Sequence, residues 1–240
     1  MALDPRLQYA TQTVEAGAGI DQGLRTYMLR VYNYMALGVA FTGVISLMVA
    51  MNPELMMTIA VGPARWVMFI GILGLGFMAP RLMFSGNAIV AQGAFWLYAA
   101  LWGALIAPMF YVYTEASIVR VFFITAAAFA GMSLFGYTTK RDLSAMGAFL
   151  CMATFGILIA ILANAFIFQS TGFDFILSIV VVLVFAGLTA YETQSIRNMY
   201  AEQDGGELTD RKAIFGAFML YGSFVTMFVW LLHLLGVARD

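Results

Sequence analysis

Charged residues are confined to short segments between long uncharged runs along this chain. Seven runs contain no Asp, Glu, Lys or Arg, namely residues 31–53, 66–80, 82–114, 121–139, 143–173, 175–191 and 213–238. A bilayer core about 30 Å thick requires about 20 apolar residues of helix. A water-soluble protein has no use for so many runs of this kind. The pattern therefore predicts a protein that crosses the membrane several times.

Polar residues, glycine and proline mark where each predicted span begins and ends. The run 82–114 holds a single span, because Ser85-Gly86-Asn87 and Ala107-Pro108 interrupt it. Residues 1–30 form a polar N-terminal tail, in which residues 21–30 favour an interfacial helix, and residues 193–212 form a polar loop. The predicted spans are about 31–51, 64–81, 88–107, 117–137, 145–167, 174–192 and 213–236.

Composition argues against a soluble domain and against a membrane β-barrel as explanations of so much apolar sequence. Sixty-two per cent of the 240 residues are hydrophobic and only 10% are charged, whereas soluble domains are about 25% charged. Strands of a membrane barrel alternate polar and apolar residues, but Val180-Val181-Val182-Leu183-Val184-Phe185 is apolar on every side. We therefore expect an all-α membrane protein with seven transmembrane helices.

The basic residues predict an orientation in the membrane. Nine of the 12 Lys and Arg residues fall on the N-terminal side of the predicted spans and three on the opposite side. Because cytoplasmic connections carry the excess of Lys and Arg, we expect a cytoplasmic N-terminus and an external C-terminus. The short loops favour the inner (plasma) membrane of a bacterium.

Several chemistries are excluded by the residues that the chain lacks. One cysteine, Cys151, and one histidine, His233, cannot form a disulfide framework or a cluster of metal ligands. A retinal protein needs a lysine within the last span, but Lys140 and Lys212 both lie at helix boundaries. We therefore expect no enzyme activity, no cofactor, no assigned metal site and no nucleic-acid partner.

Two charged residues stand out by their position. Glu192 lies at the cytoplasmic end of the sixth predicted span or just inside it, where a helix C-terminus disfavours an acid. It is either a solvated interfacial acid or a carboxylate held by a specific partner. Arg81 ends the second span on the same predicted side. It is either that partner or an arginine that reaches for the membrane surface.

Other polar residues have structural interpretations beside functional ones. Asp142 and Asp174 stand where the fifth and sixth spans begin, and both positions suit a helix cap. Asn164 and Thr189 are predicted within spans, where they would line a cavity or bond one helix to another. Small residues favour close helix packing in spans two and four, namely Gly71, Gly74, Gly76, Ala126, Ala127, Ala130 and Gly131.

Three segments together resemble one known family. They are Thr139-Lys140-Arg141-Asp142-Leu143-Ser144 after the fourth span, Tyr191-Glu192-Thr193-Gln194 at the end of the sixth, and residues 218–236 of the last. In this order they are similar to segments of the Bax inhibitor-1 (transmembrane Bax-inhibitor-motif) family. The resemblance covers all seven spans and implies a bacterial member of that family.

The resemblance implies a fold with six spans around a central one, and a pH-sensitive calcium leak. In the family, two aspartates near the cytoplasmic side share a proton and a span-two arginine helps to close the pore. The first aspartate corresponds to Glu192, the arginine to Arg81 and the second aspartate to Ser223. With a hydroxyl in place of one carboxylate, the repulsion that raises one pKa of a dyad is lost. Ser223 could instead donate a hydrogen bond to Glu192.

Two functions from different classes remain open at this stage. The first is an ion-permeable protein for Ca²⁺ with a cytoplasmic pH gate that involves Arg81, Glu192 and Ser223. The second is a non-conducting interaction protein that modulates another membrane protein, such as a membrane-anchored protease. The missing second carboxylate favours the second function, and the family resemblance favours the first.

Overall fold

The computed structural model describes residues 5–84 and 87–239, with side chains described from Gln22 onward except that of Met83. Residues 1–4 of the predicted tail and Ser85-Gly86 of the predicted interruption lie outside this part. The helices are α1 Pro5–Ala50, α2 Pro53–Ala60, α3 Ala64–Met83, α4 Ala88–Ile106, α5 Met109–Val112, α6 Glu115–Thr138, α7 Ser144–Ala163, α8 Thr171–Met199 and α9 Gly206–Leu235. A π-helical turn, Asn164–Phe168, extends α7.

Seven of these helices are long and apolar enough to cross a membrane, which confirms the predicted fold class. They are α1, α3, α4, α6, α7, α8 and α9, and they occur in the predicted order. Short helix α2 lies in the connection between α1 and α3, whereas short helix α5 continues the third span, which runs from Ala88 to Val112. In lipid, each helix satisfies its own backbone groups, so no span needs a partner strand.

The helices continue beyond the apolar runs that revealed them. The predicted polar loop 193–212 is helical up to Met199 and again from Gly206, so only a short turn is left. The first helix likewise includes the described part of the predicted tail. The predicted spans were too short because hydrophobicity marks contact with lipid, whereas a helix can continue through polar residues beyond the membrane.

The bundle has an Arg81 end and an Asp174 end. At the Arg81 end, α3, α6 and α8 finish and α4, α7 and α9 begin. At the Asp174 end, α1, α4 and the π-helical turn finish, and α3, α6 and α8 begin. Caps fix several of these starts, since the side chains of Asn87, Thr114 and Ser170 accept hydrogen bonds from the first backbone N–H groups of α4, α6 and α8.

The last helix, α9, is the central one. It packs against α1, α3, α4, α6 and α8, and it is the most buried of the seven spans. Helix α7 packs against α8 instead and therefore stands at the edge of the bundle. Of the residues that α9 buries, Leu220, Tyr221 and Met227 are fully enclosed. The position of every other span except α7 thus depends on contacts with α9.

Hydrogen bonds between helices support this packing. Thr42 of α1 donates to the carbonyl of Ala99 in α4, with 3.1 Å between the oxygens, and its hydroxyl lies 2.5 Å from that of Tyr221 in α9. One turn further along α1, Ser46 donates to the carbonyl of Gly103 at 2.6 Å. Because lipid offers no competing partners, such bonds each stabilise helix association by about 0.6–2 kcal/mol.

Close helix contact occurs at glycines other than those expected. A Cβ atom added at Gly136 of α6 would lie 2.1 Å from the carbonyl oxygen of Ala190 in α8, so the two backbones touch. By contrast, Gly74, Gly76 and Gly131 face open space. The sequence pattern was wrong about these three because small residues permit close packing but do not show which face of a helix meets a neighbour.

Replacing Gly136 with alanine is expected to destabilise the folded protein by about 1–3 kcal/mol, since the added methyl group overpacks the α6–α8 contact. Thermal unfolding in a maltoside detergent measures this effect. Gly131→Ala lies on the same helix and has space for its methyl group, so it serves as the control. Equal stability of the two variants would contradict the close contact.

Candidate functional site

Four consecutive residues of α8 connect this helix to four different neighbours. Because helical side chains are spaced by about 100°, the segment Tyr191-Glu192-Thr193-Gln194 points in all directions around the axis. The ring of Tyr191 lies against Gly147 of α7, where a Cβ atom would come within 2.3 Å of it. The other three side chains bond to α9, α6 and the loop between α6 and α7. This segment is one of the three that carry the family resemblance.

Glu192 points towards the central helix. Its carboxylate accepts a hydrogen bond from the hydroxyl of Ser223, with 2.7 Å between the two oxygens. Ser223 is buried in the middle of α9, while Glu192 is half-buried because it borders a cavity. The hydrogen bond expected from the sequence is therefore present, and it joins the sixth and seventh spans inside the bundle.

A cavity of about 490 Å³ lies beside this pair, bordered by α3, α4, α7, α8 and α9. Most of its wall is apolar and aromatic, and among the described residues that line it Glu192 is the single charged side chain. Tyr98, Thr154, Ser223 and Thr226 add hydroxyl groups. The cavity thus places one carboxylate in surroundings that solvate charge poorly.

Arg81 lies near this site but does not bind to it. It stands in the last turn of α3 with an exposed side chain, next to Pro80, which lines the cavity. Within residues 22–82, 84 and 87–239, no hydrogen bond or ion pair joins Arg81 to Glu192. A one-to-one Arg81–Glu192 pair is therefore not formed in this structure. Position along each helix brings the two to the same end, but rotation turns Arg81 outward.

Gln194 holds the loop between α6 and α7. Its side-chain oxygen accepts from the backbone N–H of Leu143 at 2.9 Å, and its amide nitrogen donates to the carbonyl of Arg141 at 2.8 Å. One turn further along α8, Arg197 donates to the carbonyl of Tyr137. Two of the segments that carry the family resemblance therefore contact each other directly, which sequence reasoning had not foreseen.

Asp142 stands next to Leu143, the N-cap residue of α7, and satisfies the backbone N–H of the first helical residue, close to the capping position that the sequence predicted. One of its carboxylate oxygens accepts from the hydroxyl of Ser144 at 2.6 Å and from the backbone N–H of Ser144 at 2.9 Å. These two bonds hold the pKa of the Asp142 carboxyl below its usual value. Asp142 is exposed and does not line the cavity, so its contribution is to the loop that Gln194 holds.

Asn164 and Thr189 do not line the cavity, contrary to one of the two expectations for them. Asn164 is buried at the Asp174 end, where its amide nitrogen donates to the carboxylate of Asp174 at 2.5 Å and its oxygen accepts from the N–H of Ser170 at 3.1 Å. It closes the turn between α7 and α8. Thr189 donates to the carbonyl of Phe185 in its own helix at 2.8 Å.

A chain of hydroxyl groups crosses three helices on the other side of α8. The oxygens of Tyr32 and Ser133 are 2.6 Å apart, those of Ser133 and Thr193 are 3.0 Å apart, and Thr193 donates to the carbonyl of Thr189. Sequence reasoning missed this chain, because Ser and Thr are frequent in membrane helices and nothing in their spacing shows which ones meet. It connects α1, α6 and α8.

The arrangement offers few ligands to a metal ion. Residues 22–82, 84 and 87–239 contain no group of three or more His, Cys, Asp and Glu side chains that could hold one. At the cavity, Glu192 and Ser223 present only a carboxylate and one hydroxyl, whereas Ca²⁺ takes six to eight oxygen ligands.

Comparison with known proteins decides the family. Residues 24–240 match the family described as inhibitor of apoptosis-promoting Bax1. The chain belongs to the Bax inhibitor-1 family. The resemblance that the three segments predicted is therefore confirmed, and it covers all seven spans. This is a family of multi-pass membrane proteins and not one of the known enzyme families.

Bacterial relatives match this family member over nearly their whole length. A protein of Rickettsia prowazekii is 39% identical over 231 residues, which is 95% of this chain and 96% of the relative. A protein of Deinococcus radiodurans is 37% identical over 221 residues, 92% of this chain and 94% of the relative. The inner membrane protein YbhL of Escherichia coli is 37% identical over 220 residues, 90% of this chain and 94% of YbhL.

Replacing Gln194 with alanine is expected to release the loop between α6 and α7, because two backbone groups lose their partners. Hydrogen exchange of residues 139–144 should become at least about tenfold faster, which corresponds to roughly 1.4 kcal/mol of lost local stability. Gln203→Ala, in the exposed turn after α8, is the control. Unchanged exchange in Gln194→Ala would show that other contacts hold the loop.

Proposed function

We propose that this protein is a cation leak of the membrane, and that Glu192 and Ser223 form its gate. The observation that supports this most is the position of Glu192, which is the single charged group among the described residues of the cavity wall. A carboxylate on an apolar wall is costly to keep unless it binds a proton or a cation. That requirement is met if cations pass this point and protons compete with them, so Ca²⁺ flux would depend on pH.

The closed state depends, in this proposal, on the bond between α8 and α9. Ser223 donates to Glu192 at 2.7 Å and thereby holds the two helices together beside the cavity. Towards the Arg81 end, Phe215 of α9 lines the cavity and packs edge-on against Phe84, with 5.3 Å between ring centres. A cation that leaves the cavity in this direction must pass both contacts, so loosening either one would open a route.

Arg81 would act on this route through its field. Its exposed side chain follows Pro80 at the edge of the cavity, so a positive charge lies near the mouth without touching Glu192. Such a charge repels cations over about one Debye length. This function for Arg81 differs from the direct pairing expected from the sequence, and it makes a different prediction about salt.

The relationship to YbhL supports a location in the inner membrane of a bacterium. The excess of Lys and Arg at the Arg81 end further supports a cytoplasmic position for that end, with the N-terminus cytoplasmic and the C-terminus external. In that orientation the gate separates the cavity from the cytoplasm.

Removing the gate bond is expected to increase the leak. Ser223→Ala should raise Ca²⁺ flux into proteoliposomes by about tenfold, because a hydrogen bond to a charged group is worth about 1.5–3 kcal/mol. Glu192→Gln should retain the bond, since an amide oxygen still accepts, but should make the flux independent of pH between about 5 and 8. Both variants are measured against the native protein and empty liposomes.

The matched control for the first variant is Ser178→Ala. Ser178 is also a buried serine, but it donates to the carbonyl of Asp174 in its own helix and does not line the cavity. Its flux should equal that of the native protein. If no variant conducts above empty liposomes, the leak is refuted. The alternative of a non-conducting partner for another membrane protein, such as a membrane-anchored protease, would then be tested by co-purification.

The effect of the Arg81 charge on the flux should disappear at high salt concentration. Arg81→Ala is expected to raise the flux by at most about fivefold at low ionic strength, as an exposed charge is worth ~1 kcal/mol or less. At about 1 M salt, where the Debye length is roughly 3 Å, native and variant should agree. Arg81→Lys keeps the charge and serves as the control. An increase that persists at high salt would point to direct contact instead.

A further inference from the structure

The cavity beside Glu192 has the size of a site for a small organic molecule. Its volume of about 490 Å³ lies within the range of roughly 300–1,000 Å³ that is usual for ligand sites. Five helices border it, so its shape is set by the fold and not by a loop. An inorganic cation that crosses the membrane would not require so large an apolar space.

Aromatic rings form much of the cavity wall. Rings are contributed by each of the five helices, including Tyr98 and Trp102 of α4, Phe155 of α7, Phe185 of α8, and Phe218 and Trp230 of α9. The faces of such rings carry negative electrostatic potential and attract cations, most strongly where water is excluded. The wall therefore favours a ligand that is both apolar and positively charged.

The cavity has an opening between α3 and α7. The backbones of these two helices stay apart, and the rings of Phe77 and Phe155 span the gap with 5.9 Å between their centres. Both rings line the cavity, yet 63% of Phe77 and 53% of Phe155 is exposed on the outer surface of the bundle. Since α3 and α7 are membrane spans, this surface faces lipid. A ligand that enters between α3 and α7 comes from the bilayer, so it must partition there.

The charge of the wall selects among molecules that partition into lipid. An organic anion would meet the carboxylate of Glu192 with no cationic side chain among the described lining residues to compensate it. A neutral acyl chain would fill the space but would leave that carboxylate without a counter-charge. An organic cation satisfies both the carboxylate and the rings.

We propose that this cavity binds a lipophilic organic monocation, which enters between α3 and α7 and places its charge near Glu192 with its apolar groups against the aromatic wall. Binding does not require that the protein conducts ions, so the two proposals can fail independently.

The test uses two probes of the same shape and opposite charge, tetraphenylphosphonium and tetraphenylborate. Titration calorimetry of the native protein in an uncharged maltoside detergent should show saturable binding of tetraphenylphosphonium. Tetraphenylborate should bind at least about tenfold more weakly. Glu192→Gln should weaken tetraphenylphosphonium binding about tenfold or more. Glu54→Gln, which changes an exposed acid on α2, should leave it unchanged.

A second pair of variants tests the place of binding without changing charge. Gly76 lines the cavity and a Cβ atom added there would meet no atom within 4 Å, so Gly76→Leu introduces a bulky apolar side chain at the site. Gly74, on the same helix, also has open space but does not line the cavity, so Gly74→Leu is the control. Gly76→Leu should abolish binding and Gly74→Leu should retain it.

The one cysteine of the chain, Cys151, provides an independent readout because it lies on the cavity wall. Tetraphenylphosphonium should slow its modification by N-ethylmaleimide in the native protein and in Gly74→Leu. Equal binding of the two probes, unchanged affinity in Glu192→Gln, or undiminished binding in Gly76→Leu would each overturn the proposal. Equal binding of the two probes, combined with unchanged tetraphenylphosphonium affinity in Glu192→Gln, would identify the cavity as a pocket for neutral lipid chains.

Discussion

The contacts of α8 at Tyr191–Gln194 join helix α7 to the helices that pack around α9. Helices α1, α3, α4 and α6 pack around α9, and α7 reaches this group chiefly through α8. On a single turn of α8, one ring packs against α7, one carboxylate bonds to α9, one hydroxyl bonds to α6 and one amide holds a loop. A residue of different size or polarity at any of these positions would release one neighbour while leaving the other three.

Hydrophobicity predicted the spans because contact with lipid requires apolar residues on the outside of every helix. It could not show where a helix ends once it leaves the membrane, so the helical parts of 193–212 were assigned to a loop. The capping position of Asp142 was predictable, because a cap acts on residues next to it in sequence. The contacts of Gln194 with Arg141 and Leu143 were not, because they join residues about fifty positions apart.

The candidate site likewise has features that the sequence predicted and features that it did not. Position along the helices placed Arg81 and Glu192 at the same end, the family resemblance added Ser223, and the hydrogen bond between Glu192 and Ser223 is present. The direction in which a side chain points depends on helix rotation, which follows from packing that one sequence does not reveal. The sequence therefore left two interpretations of Arg81 open, and the structure shows its side chain facing outward and not bonded to Glu192. The cavity was also invisible in the sequence, because the residues that line it are apolar like those that face lipid.

The hydroxyl chain from Tyr32 to Thr193 has a fixed direction. Thr193 uses its one proton on the carbonyl of Thr189, so it can only accept from Ser133, and Ser133 in turn can only accept from Tyr32. The first and last members are therefore unequal. Loss of the Tyr32 hydroxyl would leave every remaining donor with an acceptor, whereas loss of the Thr193 hydroxyl would leave a buried proton of Ser133 without one. In this family member, loss of the Tyr32 hydroxyl should thus be tolerated better than loss of the Thr193 hydroxyl.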